Sequence, residues 1–393
     1  MDYSNGKKLN VLFVTTSFPL YEEHWSGTFI ETQARMLALS GMNVTVLAPA
    51  HKGSVGGDRL GPLSVRRFHY APRILERLAY GGGIPANLKE DLWLWTVVPW
   101  FLASMKKSVM EMAPDFDVIY AHWTAAGLAA ASVAQKLKKP FVVGFHGSDL
   151  AEPRGILRRM ASRLCRTADR IVVHSPDMQQ RALLAGAREE KVVCIGHGVE
   201  IDLFSPSSGL HRPLRIIAIG RLSHEKGFDL LIEALTMIDK DVDWICEIVG
   251  EGSLATALAR QIKENKLDDK IRLSGAVSPT EIREKLAASD ILAVPSRREG
   301  FGIAAIEGMA AALPVIGAKV GALPQLIQDE VTGILVEPLN PRELSSAIRD
   351  LIKNRPKSIR MGLAGLERAG QLYRAEKVYA PLSEMLRELV KSG

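Results

Sequence analysis

Two glutamates stand eight residues apart around a glycine turn, in the run Pro295-Ser296-Arg297-Arg298-Glu299-Gly300-Phe301-Gly302-Ile303-Ala304-Ala305-Ile306-Glu307. Gly300 and Gly302 permit a tight turn whose backbone N–H groups can face a ligand. The apolar, alanine-rich run that follows predicts a helix over Ile303–Ala311, with Glu307 about one turn inside it. A carboxylate there is costly unless it has a partner. Two carboxylates flanking such a turn suit the binding of several sugar hydroxyls, and this is the most specific pattern in the chain.

Three further junctions carry unusual residues. Gly220-Arg221-Leu222-Ser223-His224-Glu225-Lys226-Gly227 follows one apolar run and opens a helical pattern over Phe228–Leu235. Cations usually avoid a helix N-terminus, so Arg221 and Lys226 at this place suggest a bound pyrophosphate; the competing reading is a solvated charged loop. Phe145-His146-Gly147-Ser148-Asp149 places a histidine where a buried strand ends. Such a residue can hydrogen-bond a hydroxyl or a charge, although taken alone it reads first as a core histidine, as do His122 and His174. Gly27, in Ser26-Gly27-Thr28-Phe29, precedes a helix and lets a phosphate approach backbone N–H groups; an ordinary loop glycine is the simpler alternative.

The elements that must position these residues alternate in type. Val11–Thr15, Val44–Ala48, Val118–Ala121, Phe141–Gly144, Ile171–His174 and Val192–Ile195 read as buried strands, separated by helical patterns such as Phe29–Leu39, Ala125–Lys136 and Met178–Leu184. Pro206–Pro213 reads as a linker. The pattern then restarts with strands at Ile216–Ile219, Trp244–Val249, Ile271–Leu273, Ile291–Val294, Val315–Ile316 and Gly333–Val336. The expected class is α/β: two Rossmann-like domains with parallel sheets, 1–205 and 214–375, joined by 206–213 and facing across a cleft. The apolar stripe Val378, Leu382, Met385, Leu386, Leu389 predicts a final helix over 376–393 that packs on a domain, a return to the first being one arrangement.

Composition sets the bounds. The 393 residues are 47% hydrophobic and 24% charged, which excludes a mainly disordered chain. A net charge of +6 fits an anionic ligand or membrane surface without demanding nucleic acid, and no basic-aromatic repeat appears. Cys165, Cys194 and Cys246 have neither zinc-finger nor redox spacing, so a reducing, cytoplasmic setting is expected.

These motifs resemble the large family 4 of retaining glycosyltransferases, whose fold is GT-B. The resemblance rests on Glu299-x(7)-Glu307, Gly220-Arg221 with Lys226-Gly227, Val249-Gly250-Glu251-Gly252, Ala312-Leu313-Pro314-Val315 through Gly321, Gly333–Val336 with Pro338, and, in the first half, Phe18-Pro19, Gly27 and His146–Asp149. Where the family commonly has Pro-Asn-Gly-Val-Asp, this chain has Gly196-His197-Gly198-Val199-Glu200. The resemblance implies a hexosyltransferase that needs no metal or cofactor and takes a nucleoside-diphosphate sugar as donor. Arg221 and Lys226 would hold the pyrophosphate, Glu307 the ribose hydroxyls and Glu299 the transferred sugar. Backbone groups of Gly27, Gly300, Phe301, Gly302 and Ile303 would line the phosphates, and His146 would meet the sugar; Glu299, His146, Arg221 and Lys226 form the expected catalytic set. The alternative on the same fold is a sugar-nucleotide binder or epimerase that transfers nothing.

A nicotinamide-dependent dehydrogenase is a weak rival: Gly250-Glu251-Gly252-Ser253-Leu254-Ala255 has the glycine pattern, but the next strand ends in Ser274-Gly275 rather than an acid. Asp115-Phe116-Asp117 and Asp241-Val242-Asp243 precede strands, the wrong end of a sheet for a metal-bound ligand. For the acceptor, Leu92–Leu102 packs Trp93, Trp95 and Trp100 into an apolar run followed by Lys106 and Lys107, and Arg154, Arg158, Arg159, Arg163, Arg166 and Arg170 are expected on one helix. Together they suit peripheral contact with the cytoplasmic membrane face and a lipid-linked glycan acceptor; a buried helix and a solvated face are the alternatives. Tyr80–Pro85 serves either as an acceptor loop or as a plain turn. Glu299, on a loop, is expected to matter for transfer and little for stability.

Overall fold

The structure is a computed structural model that describes residues 8–51, 59–150, 155–207, 209, 211–239 and 242–391. The chain forms two compact units, residues 1–198 with 375–393, and residues 199–374.

The first unit runs β1 (Asn10–Val14), α1 (Thr28–Leu39), β2 (Asn43–Pro49), β3 (Arg59–Leu60), β4 (Leu63–Phe68), α2 (Ile84–Glu90), α3 (Val98–Met112), β5 (Val118–His122), α4 (Trp123–Leu137), β6 (Phe141–Gly144), α5 (Ile156–Thr167), β7 (Arg170–Val173), α6 (Pro176–Leu184) and β8 (Val192–Cys194). Its sheet has the order β3-β4-β2-β1-β5-β6-β7-β8, all parallel except β3. Strands of Val, Ile, Leu and Phe are buried on both faces, as a parallel sheet requires. In β1, Leu12 and Val14 join one apolar layer, while Val11 and Phe13 join the other.

The second unit runs β9 (Leu214–Ile219), α7 (Phe228–Thr236), β10 (Trp244–Val249), α8 (Ala255–Glu264), β11 (Ile271–Leu273), α9 (Pro279–Ala287), β12 (Ile291–Val294), α10 (Ile303–Ala310), β13 (Val315–Ala318), α11 (Leu323–Leu326), β14 (Gly333–Val336), α12 (Pro341–Lys353) and α13 (Arg355–Leu372). Its parallel sheet has the order β11-β10-β9-β12-β13-β14. Numbered within the unit this is 3-2-1-4-5-6, the order of a dinucleotide-binding domain, and it reverses between β9 and β12. The last helix, α14 (Ala375–Lys391), buries Tyr379, Leu382, Met385, Leu386 and Leu389 in the first unit's core beside α1 residues such as Ile30 and Leu37.

Several expectations are corrected. The units divide after Gly198, not at 205: Val199 pairs with Arg374 in a parallel bridge, and Ser207 N donates to the Ala311 carbonyl, so the described part of 206–213 packs within the second unit. The Leu92–Leu102 run is a 3-10 turn, Leu92–Thr96, leading into α3, with Pro99 in its first turn where no N–H is needed. The arginines do not share one helix: α5 carries Arg158, Arg159, Arg163 and Arg166, Arg170 opens β7, and Arg154 lies outside the described residues, as does Asp241. The strands β3 and β4 and the short helix α2 carry no strong periodicity and escape sequence reading.

Candidate active site

In an open parallel sheet, ligands bind outside the carboxyl ends of the strands where the order reverses. In the second unit those strands are β9 and β12, and the loops after them carry Arg221 with Lys226, and Glu299. The structure closes these loops on one another. Arg297 N and Arg298 N both donate to the Glu225 carbonyl, at 2.8 and 3.1 Å. Arg297 also donates from Nη1 and Nη2 to the two carboxylate oxygens of Asp229, each at 2.6 Å. Burial would raise the Asp229 carboxyl, but this bidentate pair outweighs it and holds the group below its ordinary value.

With the loops so fixed, Lys226 Nζ donates to Glu299 Oε2 at 2.7 Å and Oε1 at 3.0 Å, while Ser296 Oγ also donates to Oε2 at 3.0 Å. Sequence reading gave Lys226 and Glu299 separate ligand roles; the structure makes them partners. Arg221 is exposed, and its side chain makes no hydrogen bond or ion pair with any described residue. It sits on a loop buttressed from β10: Gly250 approaches so closely that a Cβ there would lie 1.9 Å from the Gly220 carbonyl oxygen. The glycines that imitate a dehydrogenase motif are therefore packing residues for the Arg221 loop.

The helix starts are also informative. α6, α9, α12 and α13 are capped by Ser175, Ser278, Asn340 and Asn354, whose side chains accept from backbone N–H groups. α7 and α10, which follow the two loops, begin instead at Gly227 and Gly302, in the left-handed region at φ 68° and 93°, with no side-chain cap. At α10 the first N–H groups are left for another acceptor, the arrangement that binds anions, whereas at α7 the Asp229 carboxylate itself accepts from the N–H groups of Asp229 and Leu230. Gly300, unlike Gly302, does not adopt a positive φ; its N–H instead donates to Glu299 Oε1 at 3.2 Å. Glu307 lies on α10 as read. Part of its side chain reaches solvent, yet burial pushes the carboxyl up to about 7 against the opposing charge of Arg283 on α9.

The first unit reverses its strand order between β1 and β5. Gly27 caps α1 at φ 77°, again without a side-chain cap. Two residues on, the Phe29 ring lies 5.0 Å from the rings of both His146 and His197. His146 is not alone. His122, His146, His174 and His197 come from the carboxyl ends of β5, β6, β7 and β8 and stack in that order, with ring centroids 5.3, 4.7 and 3.9 Å apart. His122 Nδ1 and His146 Nε2 share a hydrogen bond of 3.0 Å. His174 Nδ1 donates to the Ile195 carbonyl at 2.7 Å, which fixes its tautomer. Burial holds all four below their ordinary value, with repulsion from neighbouring histidines adding to it at His122, His146 and His197; His174, where the Ile195 hydrogen bond opposes burial, lies at about 4, so the stack is neutral near pH 7. Nitrogens of His146, His174 and His197 lie within 4.8 Å of one another, the spacing of a metal site. Their ring planes, however, differ by only 17–24° in a stack, so the lone pairs run side by side rather than converging on one ion. Asp149 braces this end: it accepts Thr124 N and Oγ1 at 2.8 and 2.9 Å and His146 N at 3.0 Å.

Comparison with known proteins decides the family. Glycosyl transferases group 1 matches residues 201–368, and Glycosyltransferase Family 4 matches 26–203. An uncharacterized glycosyltransferase of Methanocaldococcus jannaschii is 30% identical over 264 residues, 66% of this chain and 72% of that protein. The chain belongs to glycosyltransferase family 4. This glycosyltransferase is also similar to the D-inositol 3-phosphate glycosyltransferase of Corynebacterium aurimucosum, 27% identical over 382 residues, 88% of this chain and 86% of that one. Anabaena HepE, solved with UDP and glucose, superposes with a TM-score of 0.75 at 21% identity, over 97% of this chain and all of that one. The fold is GT-B.

Sequence reading missed several residues of the glycosyltransferase that the structure puts at these strand ends. Arg297 and Asp229 join the loops, and nothing in their spacing announces it. His197 could have been noticed, since it stands where the family pattern is broken. Trp123 holds φ 67°, rare for a bulky side chain, with its ring 4.8 Å from that of His146. Backbone strain of this kind clusters at functional sites.

Proposed function

We propose that this glycosyltransferase transfers a hexose, with retention of configuration, from a nucleoside-diphosphate sugar to a lipid-linked or polysaccharide-precursor acceptor in cell-envelope glycan assembly. The observation that carries the donor reading is the joined pair of loops at the β9/β12 reversal, where Lys226 and Glu299 meet between the glycine starts of two helices. HepE, of the same fold, is solved with UDP and glucose. In the reaction the sugar leaves through an oxocarbenium-like state and negative charge grows on the pyrophosphate. Arg221, Lys226 and the N–H groups at Gly302–Ile303 stabilise that charge where it develops, a role that divalent metal fills in other enzymes. Glu299 holds hydroxyls of the sugar, Glu307 those of the ribose. His146, kept neutral, serves as a hydrogen-bonding partner for the sugar, and the acceptor attacks from the face the leaving group occupied, without a covalent enzyme intermediate.

The acceptor reading rests on the first unit's surface. Leu92, Trp93, Trp95 and Trp100 are 73, 47, 58 and 68% exposed, a concentration of apolar rings that suits the membrane interface, with Lys106 and Lys107 exposed on the same α3. Arg159, Arg163 and Arg166 are exposed along α5 and add attraction to anionic lipid. No described helix is long and apolar enough to cross a membrane, so contact is peripheral on this reading. Thermal denaturation with UDP, GDP and their sugars tests the donor site. Saturation at 100 times Kd raises stability by about 2.7 kcal/mol, and no shift with any nucleotide sugar removes the proposal.

A further inference from the structure

β4, β2 and β1 are neighbours in the first unit's sheet, and their carboxyl ends gather residues that the donor chemistry does not use. Arg67, one residue before the end of β4, donates from Nη1 to Tyr80 Oη at 2.8 Å and from Nη2 to the Pro19 carbonyl, and lies 6.0 Å from the centre of the Phe18 ring. Its Nε is buried with no hydrogen-bond partner. A guanidinium has five donors and a charge that does not titrate away, yet among the described residues no carboxylate stands within ion-pairing distance of this one. The buried carboxylate of the region, Glu76, is held by His69 Nδ1 at 3.1 Å and Tyr70 N at 3.0 Å. Two histidines complete the ring of residues. The His24 ring is 6.3 Å and the His51 ring 5.3 Å from that of Tyr80, both edge-on. His24 Nδ1 accepts from Ser26 N at 3.2 Å, which leaves Nε2 to donate. The exposed Tyr21 and the partly exposed Trp25 pack on His24, so the place is open to solvent. A partly buried cation beside an N–H donor, with no carboxylate of its own among the described residues, offers a place for an anion from outside.

We propose that Arg67, flanked by His24, His51 and Tyr80, forms an anion subsite that holds the phosphate of a phosphate-bearing acceptor. The proposal rests on the transfer reading above for the word acceptor, but the binding itself does not depend on it. It also fits the neighbouring surface: Phe68 at the β4 end and Tyr70 just after it meet Phe101 of α3 edge-on, and that helix carries exposed Trp100. A phosphate at Arg67 can therefore belong either to a soluble sugar phosphate or to a lipid headgroup.

The test is titration of the full chain by calorimetry with glucose 6-phosphate and with glucose, in saturating UDP so that the phosphate-binding loops of the second unit are occupied. Flotation on phosphatidic-acid and on neutral vesicles runs in parallel. The expected result is at least a tenfold preference for the phosphorylated partner in one of the two arms, reduced to threefold or less in Arg67→Gln. The arm in which the preference occurs names the source of the phosphate. Arg67→Lys, which keeps the charge but loses the planar fork, should fall between, and it replaces Arg67→Gln if circular dichroism shows that variant unfolded. No preference in either arm, or a preference that Arg67 substitution leaves intact, overturns the subsite. Failure of UDP to bind in the same samples would count against the donor reading and leave the phosphate comparison to stand by itself.

Discussion

Glu307→Gln offers a test in which stability and binding should move in opposite directions. The carboxyl of Glu307 is raised from 4.5 to about 7 by burial, with Arg283 pulling the other way. A folded-state value above the unfolded one means that stability is fully present below about pH 4.5 and is lost as pH rises through about 7. A shift of that size corresponds to about 3 kcal/mol; because part of the side chain reaches solvent, between 1 and 3 kcal/mol is the reasonable range, taken at about pH 8.5. Glutamine has the same shape and no proton to lose, so the variant should melt higher than the native chain at pH 8.5, by about 2–4 °C per kcal/mol, and equally at pH 4.5. Donor binding should show the reverse. If the ionised carboxylate accepts ribose hydroxyls, the native chain should bind UDP-glucose or GDP-mannose about tenfold more weakly at pH 6 than at pH 8, because the ionised fraction falls by about that factor across a value near 7. The variant should lose about 10- to 100-fold in affinity at pH 8, as for a hydrogen bond to a charged group, and its remaining affinity should be flat with pH. Scanning calorimetry and titration calorimetry read the two quantities. A variant that melts no higher at pH 8.5, or native affinity that is flat from pH 6 to 8, refutes the reasoning.

Glu299→Ala should abolish nearly all transfer. The sequence-based expectation that it costs little stability is revised: the carboxylate is 9% exposed and satisfies Lys226 and Ser296, so its loss should destabilise the chain by about 1–3 kcal/mol, measured by urea denaturation. Unimpaired transfer in that variant removes Glu299 from the site. On the proposed mechanism, in which side-chain cations and helix N-termini do the electrostatic work, activity should persist in excess chelator; loss restored by magnesium or manganese contradicts this. Trp93→Ala/Trp95→Ala should reduce flotation on anionic vesicles, and salt should strip part of the native protein from them; equal, negligible flotation in all conditions removes the membrane reading.

The second unit was the more legible half. Its strands Trp244–Val249, Ile271–Leu273, Ile291–Val294 and Gly333–Val336 appear at the expected bounds, because buried parallel strands read as short continuous apolar runs. The residues read as its donor site lie on loops next to helix starts, apart from Glu307 inside α10, so their place in the fold followed from residue type and local position. What sequence could not supply was the pairing of Lys226 with Glu299, which joins residues 73 apart through backbone bonds from Arg297 and Arg298. In the first unit the opposite holds. His122 and His174, set aside as core histidines, are buried as that reading requires, but they share a stack with His146 and His197 that only the order β5-β6-β7-β8 brings about. The arginines expected along one helix were miscounted because strand β7 begins within their run.

The Lys226–Glu299 pair bears on how the donor site works. A lysine meant for a pyrophosphate and a glutamate meant for a sugar are opposite charges at close quarters, and without ligand each is the other's partner. Lysine has three donors and a carboxylate about four acceptor positions, so neither is used up by the 2.7 Å contact. A donor that offers an anion to Lys226 and hydroxyls to Glu299 can be taken up with the pair intact, the contact then fixing the two ends of the ligand relative to one another. A simple anion such as sulfate offers only half of this, competing with Glu299 for Lys226 and giving nothing to the carboxylate. On the proposed donor reading, selectivity for a nucleotide sugar over a free anion would be built into the pair itself, and the joined loops that hold it, through Arg297 and Asp229, would set the spacing at which phosphate and sugar arrive.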